Sequence, residues 1–219
     1  MARSGIWYTH GITIQNSSIQ APKSFRRSSG IELTDDHFSN AQETLWRCDD
    51  IKLTNIQANG DYFGMNSSNI YVSHLNLIGN YVFDGGKNIE IHHSTFVSKD
   101  AFWNCENVTI YDSTISGEYL AWNTKNLTMI NCTIESNQGL CYIDHLKMRN
   151  CHLLHTNLAF EYCSNVDAEI SSSIMSIKNP LNGKIHARSV GKIILDPTKI
   201  NPGKTTIITD DETRGEVPA

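Results

Sequence analysis

The sequence has no apolar run approaching the roughly 18 to 20 residues needed to span a bilayer. Its start, MARSGIWYTHGITI, lacks the long apolar segment of a secretory signal. The expected setting is therefore the cytoplasm, with no membrane partner. The six cysteines (Cys48, Cys105, Cys132, Cys141, Cys151 and Cys163) include no CxxC pair, so neither a zinc site nor a redox motif is signalled. They are expected to be buried, reduced thiols. No basic run occurs and the net charge is −5, which argues against nucleic acid as a partner. What remains is an ordinary soluble composition, 39% hydrophobic and 19% charged over 219 residues, enough to bury a core in one or two domains.

What the sequence does have is repetition. An apolar pair spaced by one residue recurs at Ile12/Ile14, Ile31/Leu33, Ile51/Leu53, Ile70/Val72, Ile89/Ile91, Val108/Ile110, Leu127/Met129 and Leu146/Met148, with successive starts 19, 20, 19, 19, 19, 19 and 19 residues apart. So strict a period means a solenoid, in which no unit buries its apolar face alone. The alternation is two-residue and rich in Ile, Val and Thr, so the unit is built on strands. Nineteen residues suffice for three short strands joined by bends, whereas helical repeats run to 33 or more. The expected fold is all-β, a right-handed parallel β-helix with coils of 19 to 20 residues. About nine coils at ~4.8 Å each would give a rod of about 40 Å.

The bends are legible too. Before the apolar pairs stand Gly11, Gly30, Asp50, Asn69, Asn88, Asn107, Asn126 and His145, with Asn165 continuing the column before Val166, and four residues after each start comes Asn16, Asp35, Asn55, His74, His93, Asp112, Asn131 or Asn150. These types accept left-handed backbone, and stacked amides can bond from coil to coil as an asparagine ladder. The same columns account for the Asn-x-Ser/Thr triplets at Asn16, Asn66, Asn107, Asn126 and Asn131 without glycosylation. An apolar column at Ile19, Phe38, Leu77, Phe96, Ile115, Ile134 and Leu153 fits a second, inward strand, with an irregularity expected in the third coil, where Ile56 comes early. The periodicity fades after Val166. We expect one β-helix domain over residues 1–196, and over 197–219 a C-terminal extension ending in a loose polar tail, TDDETRGEVPA.

The stretches KDAFWNCENVTI, GEYLAWNTKNLTMINCTI, LAFEYCSNVDAEI and SIKNPLNGKI carry a resemblance. They are similar to a bacterial family called domain of unknown function 3737, which is assigned to the pectin-lyase-like right-handed β-helices. The similarity runs to about Asp196 and is most specific from Lys99 to Gly183. Members of that family usually carry further coils ahead of the point where this chain begins, so the resemblance implies a truncated gene or fragment. An uncapped first coil would invite end-to-end self-association through open strand edges. The family has no established activity, so the resemblance speaks to fold.

Three constellations bear on chemistry. His74, His93 and Asp112 follow one another in one bend column, types that suit a metal or a proton relay; the plainer reading is substitution at a turn, and no metal or other cofactor is expected. An aromatic column, Phe63, Phe83, Trp103, Trp122, Tyr142 and Phe160, would suit either the interior or a platform for sugar rings. Alternation places Trp103, Trp122 and Phe160 with Ala101, Leu120 and Leu158, facing inward, and turns Asp100, Tyr119 and Asn157 outward. Third, Asp100, Glu118, Asp144 and Glu161 lie beside this strand, where two carboxylates ~5 to 10 Å apart would suit glycoside hydrolysis or a calcium-dependent lyase. The motifs expected from likeness to pectate lyases or polygalacturonases are missing: there is no Gly-His-Gly, no Arg-x-Lys and no stacked Asp cluster facing an Arg. Two functions stay open. One is a noncatalytic scaffold or binding protein. The other is a carbohydrate-binding or carbohydrate-active protein, with a saccharide partner, catalytic candidates Asp100, Glu118 and Glu161, and ligand candidates Trp103, Tyr119, Trp122 and Tyr142.

Overall fold

Equivalent positions of successive repeats pair directly. Ile12 pairs with Ile31, Ile31 with Ile51, Ile51 with Ile70, Ile70 with Ile89, Ile89 with Val108, Val108 with Leu127 and Leu127 with Leu146, all in parallel register. The computed structural model describes residues 5–211 as a β-solenoid of about 11 turns. Among those residues the only helix is a single 3-10 turn, Pro202–Lys204.

The bends hold the positions expected of them. Asn69, Asn88, Asn107 and Asn126 before the apolar pairs, and Asn55, His74, His93 and Asp112 after them, all have φ between +48 and +58. Amides there bond from coil to coil: Asn88 donates to Asn69 (3.0 Å), Asn107 to Asn88 (3.0 Å) and Asn126 to Asn107 (2.9 Å). In the third coil the backbone bends at Asn55 like its neighbours, so the expected irregularity is one of residue type. Ala58 takes the column position between Phe38 and Leu77, and Ile56 packs in register with Leu75.

Inside the rod, phenylalanines run coil to coil. Phe38, Phe63, Phe83, Phe96 and Phe102 are fully buried, with ring centroids 5.5 to 6.5 Å apart. A second inward column is polar and explains half the cysteines. Cys48, Ser67, Cys105, Thr124 and Cys163 each donate to a carbonyl 22 or 23 residues back, namely those of Phe25, Leu45, Phe83, Phe102 and Leu140. Ser67, Thr124 and Cys163 also accept a backbone N–H from the coil before, those of Cys48, Cys105 and Ile143. A thiol, like a hydroxyl, satisfies buried main chain where a bend takes it out of the strand ladder. All six cysteines are free and buried.

The stack runs beyond the nine coils that the repeat marks out. Val166 pairs with Gly183 and Gly183 with Thr205, offsets of 17 and 22 residues, so the parallel pairing continues after the 19-residue period is lost. Thr205–Thr209, within the stretch expected to be an extension, is a strand paired to Gly183–Ile194. The remainder of the expected tail, 212–219, lies outside the described residues.

Candidate functional site: the aromatic side of the rod

The third side of each coil, which carries the aromatic and acidic candidates, is not an ordinary strand. Left-handed residues recur at every second position: Tyr81, Phe83 and Gly85 in one coil, Asp100, Phe102 and Asn104 in the next, Tyr119, Ala121 and Asn123 after that. Backbone N–H groups therefore point alternately to the following and the preceding coil, Asp100 to Glu118 and Phe102 to Val82. The simple in-out rule of a strand presumes one repeated conformation. Here it fails, and consecutive residues such as Ala101 and Phe102, or Leu120 and Ala121, are both buried.

This overturns two expectations about orientation. Trp103 and Trp122 face outward and are half-buried, not in the core, while Phe63, Phe83 and Phe160 are fully buried. The single column read from the sequence is thus two, an inner line of phenylalanines and an outer line of Trp and Tyr. Asp100, expected outside, is 2% exposed.

The outer line is unbroken over seven rings. Centroid separations are 6.4 Å for Trp46–Tyr62, 4.9 Å for Tyr62–Tyr81, 6.2 Å for Tyr81–Trp103, 5.6 Å for Trp103–Trp122, 5.6 Å for Trp122–Tyr142 and 5.4 Å for Tyr142–Tyr162. Arg26 extends it, its guanidinium 5.0 Å from the Trp46 ring. Both indoles are pinned by main-chain bonds, Trp103 Nε1 to the Tyr119 carbonyl (2.6 Å) and Trp122 Nε1 to that of Gln138 (2.9 Å). Their planes differ by 8°, so these two rings cover each other's faces. Tyr81 and Tyr142 are turned 85° and 57° from the indoles beside them, out of that closed pair, and Tyr142 is 46% exposed. Trp46, Tyr62, Tyr81 and Tyr162 were not among the sequence candidates. The available signal was a second column, Tyr62, Tyr81 and Tyr119, with Asp100 standing between the last two at the same spacing.

Each of the acidic candidates has partners of its own. Burial raises the pKa of Asp100, opposed by a hydrogen bond from the Tyr81 hydroxyl and by Lys99, and reinforced by Glu118 and Asp84. That bond to Asp100 in turn raises the Tyr81 phenol. Glu118 is exposed and faces Lys99 Nζ at 3.5 Å; the same ammonium sits 5.2 Å from the Tyr119 ring centroid. Glu161 is buried and fully engaged, Oε1 with Lys178 Nζ (2.8 Å) and Oε2 accepting from Gln138 Nε2 (3.1 Å). Asp144 stands one residue before the bend position His145, on a different stretch of the coil, where bonds from Ser164 and Asn165 lower its pKa. Two surface depressions, about 480 and 510 Å³, lie at the C-terminal end around Pro197 and Lys199 and around His186 and Asp210. Neither reaches these residues.

His74, His93 and Asp112 do stack on successive coils. The imidazole centroids are 5.2 Å apart and His93 Nδ1 lies 4.0 Å from Asp112 Oδ2. Among the described residues, no three His, Cys, Asp or Glu side chains are gathered closely enough to hold a metal.

Comparison with known proteins adds a family. The model described as "Protein of unknown function (DUF3737)" matches residues 1–208. No curated protein and no solved structure matches the chain.

Proposed function

The chain thus belongs to the DUF3737 family, and on that premise we propose that it is a noncatalytic binding rod whose aromatic side takes an extended, polyhydroxylated chain, a saccharide. One observation carries this reading: the continuous outward line of rings from Trp46 to Tyr162, with Tyr142 46% exposed. Sugar rings present apolar C–H faces flanked by hydroxyls. An aromatic line bordered by Lys99, Glu118 and Gln138 offers both kinds of contact, with charge of both signs, which suits a neutral ligand better than a highly charged one. The pectin-lyase-like assignment of the family that the sequence resembles points the same way, by analogy of fold.

The noncatalytic half of the reading follows from how the carboxylates are spent. Asp100 is tied to Tyr81 and Glu161 to Lys178 and Gln138, whereas an acid and base for glycoside cleavage must flank one bond in a shared space. Affinity electrophoresis through gels containing neutral polysaccharides, with tryptophan fluorescence as a second readout, tests the proposal. Tyr142→Ala is expected to weaken binding by about tenfold, roughly 1.4 kcal/mol. Absence of retardation and quenching in every polysaccharide, or a Tyr142→Ala variant that binds as tightly as the parent, would leave the second reading, a scaffold whose ladders serve shape alone. That reading is favoured by the Trp103/Trp122 pair, whose faces are closed against each other.

A further inference from the structure

The bend column between the first and second sides is stitched by amides on either flank of its middle. Asn55 Nδ2 donates to Asp35 Oδ1 (2.6 Å), Asn131 to Asp112 (2.9 Å) and Asn150 to Asn131 (2.9 Å). At the two central rungs the amide is replaced by imidazole, His74 and His93, and the stitching stops. Two neutral imidazoles side by side each have one N–H and one lone pair, and their Nδ1 atoms are already occupied or faced. His74 Nδ1 is 2.7 Å from Ser73 Oγ, and His93 Nδ1 lies 4.0 Å from Asp112 Oδ2, beside it but beyond hydrogen-bond distance. That leaves Nε2 on each ring without a partner among the described residues. The rings are exposed, lie on adjacent coils and are inclined by only 31° with centroids 5.2 Å apart.

The hydroxyl on one Nδ1 is an outer-shell partner of the kind that fixes the ring orientation of metal-binding histidines, and a small side-chain rotation would bring the carboxylate into the same role at the other. The third imidazole of the region, His92, is committed elsewhere, 2.7 Å from Glu90 and stacked on Tyr111 at 4.7 Å. We propose that His74 and His93 form a two-imidazole site for a borderline divalent transition ion such as zinc, nickel or copper(II), which imidazole nitrogen suits. Water completes the coordination and Asp112 acts as outer partner to His93. The ion takes over the coil-to-coil link that the amides make elsewhere in the column. With two protein ligands instead of the three or four of resident zinc sites, the site is one for exchangeable metal, independent of the saccharide reading.

The test uses the full chain, stripped with a chelator, titrated with nickel(II) or zinc chloride. Binding is followed by melting temperature and by the ring nitrogen resonances of the histidines. The expected result is a saturable rise in melting temperature with Nε2 perturbations confined to His74 and His93. His74→Asn and His93→Asn restore the residue type of the column, so both are expected to fold at least as stably as the parent without metal while losing the metal response. Asp112→Asn keeps the acceptor for Asn131 and is expected to weaken binding about tenfold. No saturable response at millimolar metal, perturbations centred on other histidines, or a full response in the His74→Asn, His93→Asn double variant would each overturn the proposal.

Discussion

Replacing Thr124 with valine removes one hydroxyl from the inward polar column while leaving its volume nearly unchanged. Thr124 is fully buried. Its Oγ1 donates to the Phe102 carbonyl at 2.6 Å and accepts the Cys105 backbone N–H at 3.3 Å. Valine fills the same space, so no cavity term enters, and the change isolates the hydrogen bonds. It leaves a buried N–H without a partner, a penalty of about 1 to 3 kcal/mol. Taking about 2 kcal/mol, a chain of this size should lose about 4 to 8 °C in melting temperature. Thr124→Ser keeps both bonds and gives up only a methyl group, about 0.8 kcal/mol by transfer. The order of stability is therefore parent, serine, valine. Urea unfolding gives the differences, and amide exchange locates them. If the bond matters as argued, Cys105 N–H loses protection by roughly thirtyfold in the valine variant, since local opening becomes easier by the same ~2 kcal/mol. A valine variant as stable as the serine one, with Cys105 still protected, would refute the assignment of this column as a hydrogen-bonding device.

Two further outcomes test the packing and the electrostatics. Asp36 is buried, accepts from the Ser17 N–H through Oδ1, and has Oδ2 unpartnered; burial raises its pKa above 3.8. The folded state then binds the proton more tightly than the unfolded one, so stability from this group is full below 3.8 and is lost as pH rises through the raised value. Ser94 and Ser113 do the same work in their coils, accepting from Leu75 and Ser94. Asp36→Ser should therefore stabilise the protein at pH 7, with the gain shrinking toward pH 3.8; urea midpoints that differ equally at both pH values would count against it. At Gly79, φ is +157 and an added Cβ would stand 2.1 Å from the Gly60 carbonyl oxygen, main chain that cannot swing aside. Gly79→Ala should cost about 3 kcal/mol, and a melting temperature within 2 °C of the parent would contradict the close approach.

Much of this architecture was readable before any coordinates. The registers of the first side follow the Ile12, Ile31, Ile51 series residue for residue, and both bend columns carry the left-handed backbone that Asn, Asp and Gly announce. The aromatic side was not readable in the same way. Its left-handed positions are held by Tyr62, Phe83, Phe102 and Leu140, types that give no such signal. Only the coil-to-coil hydrogen bonds on both edges, with the packed phenylalanines behind, impose that conformation. The burial of Asp100 escapes the sequence for the same reason, since its neighbours do not follow the two-residue alternation that would turn it outward.

The sequence by itself determined the period, the parallel register, the bends and the apolar columns, because each depends on local residue type repeated at fixed spacing. Tertiary structure decided which way the third side turns its chains. It made Asp100 a buried partner of Tyr81 and Trp103 an outer ring, and it set His74 beside His93 without an amide between them. It also carried the stack on through Gly183–Ile194 and Thr205–Thr209 after the period had gone. The physical reason is common to all of these. An open strand edge is satisfied by any chain that brings N–H and C=O groups into register, and that demand is met by backbone, whatever the side chains spell.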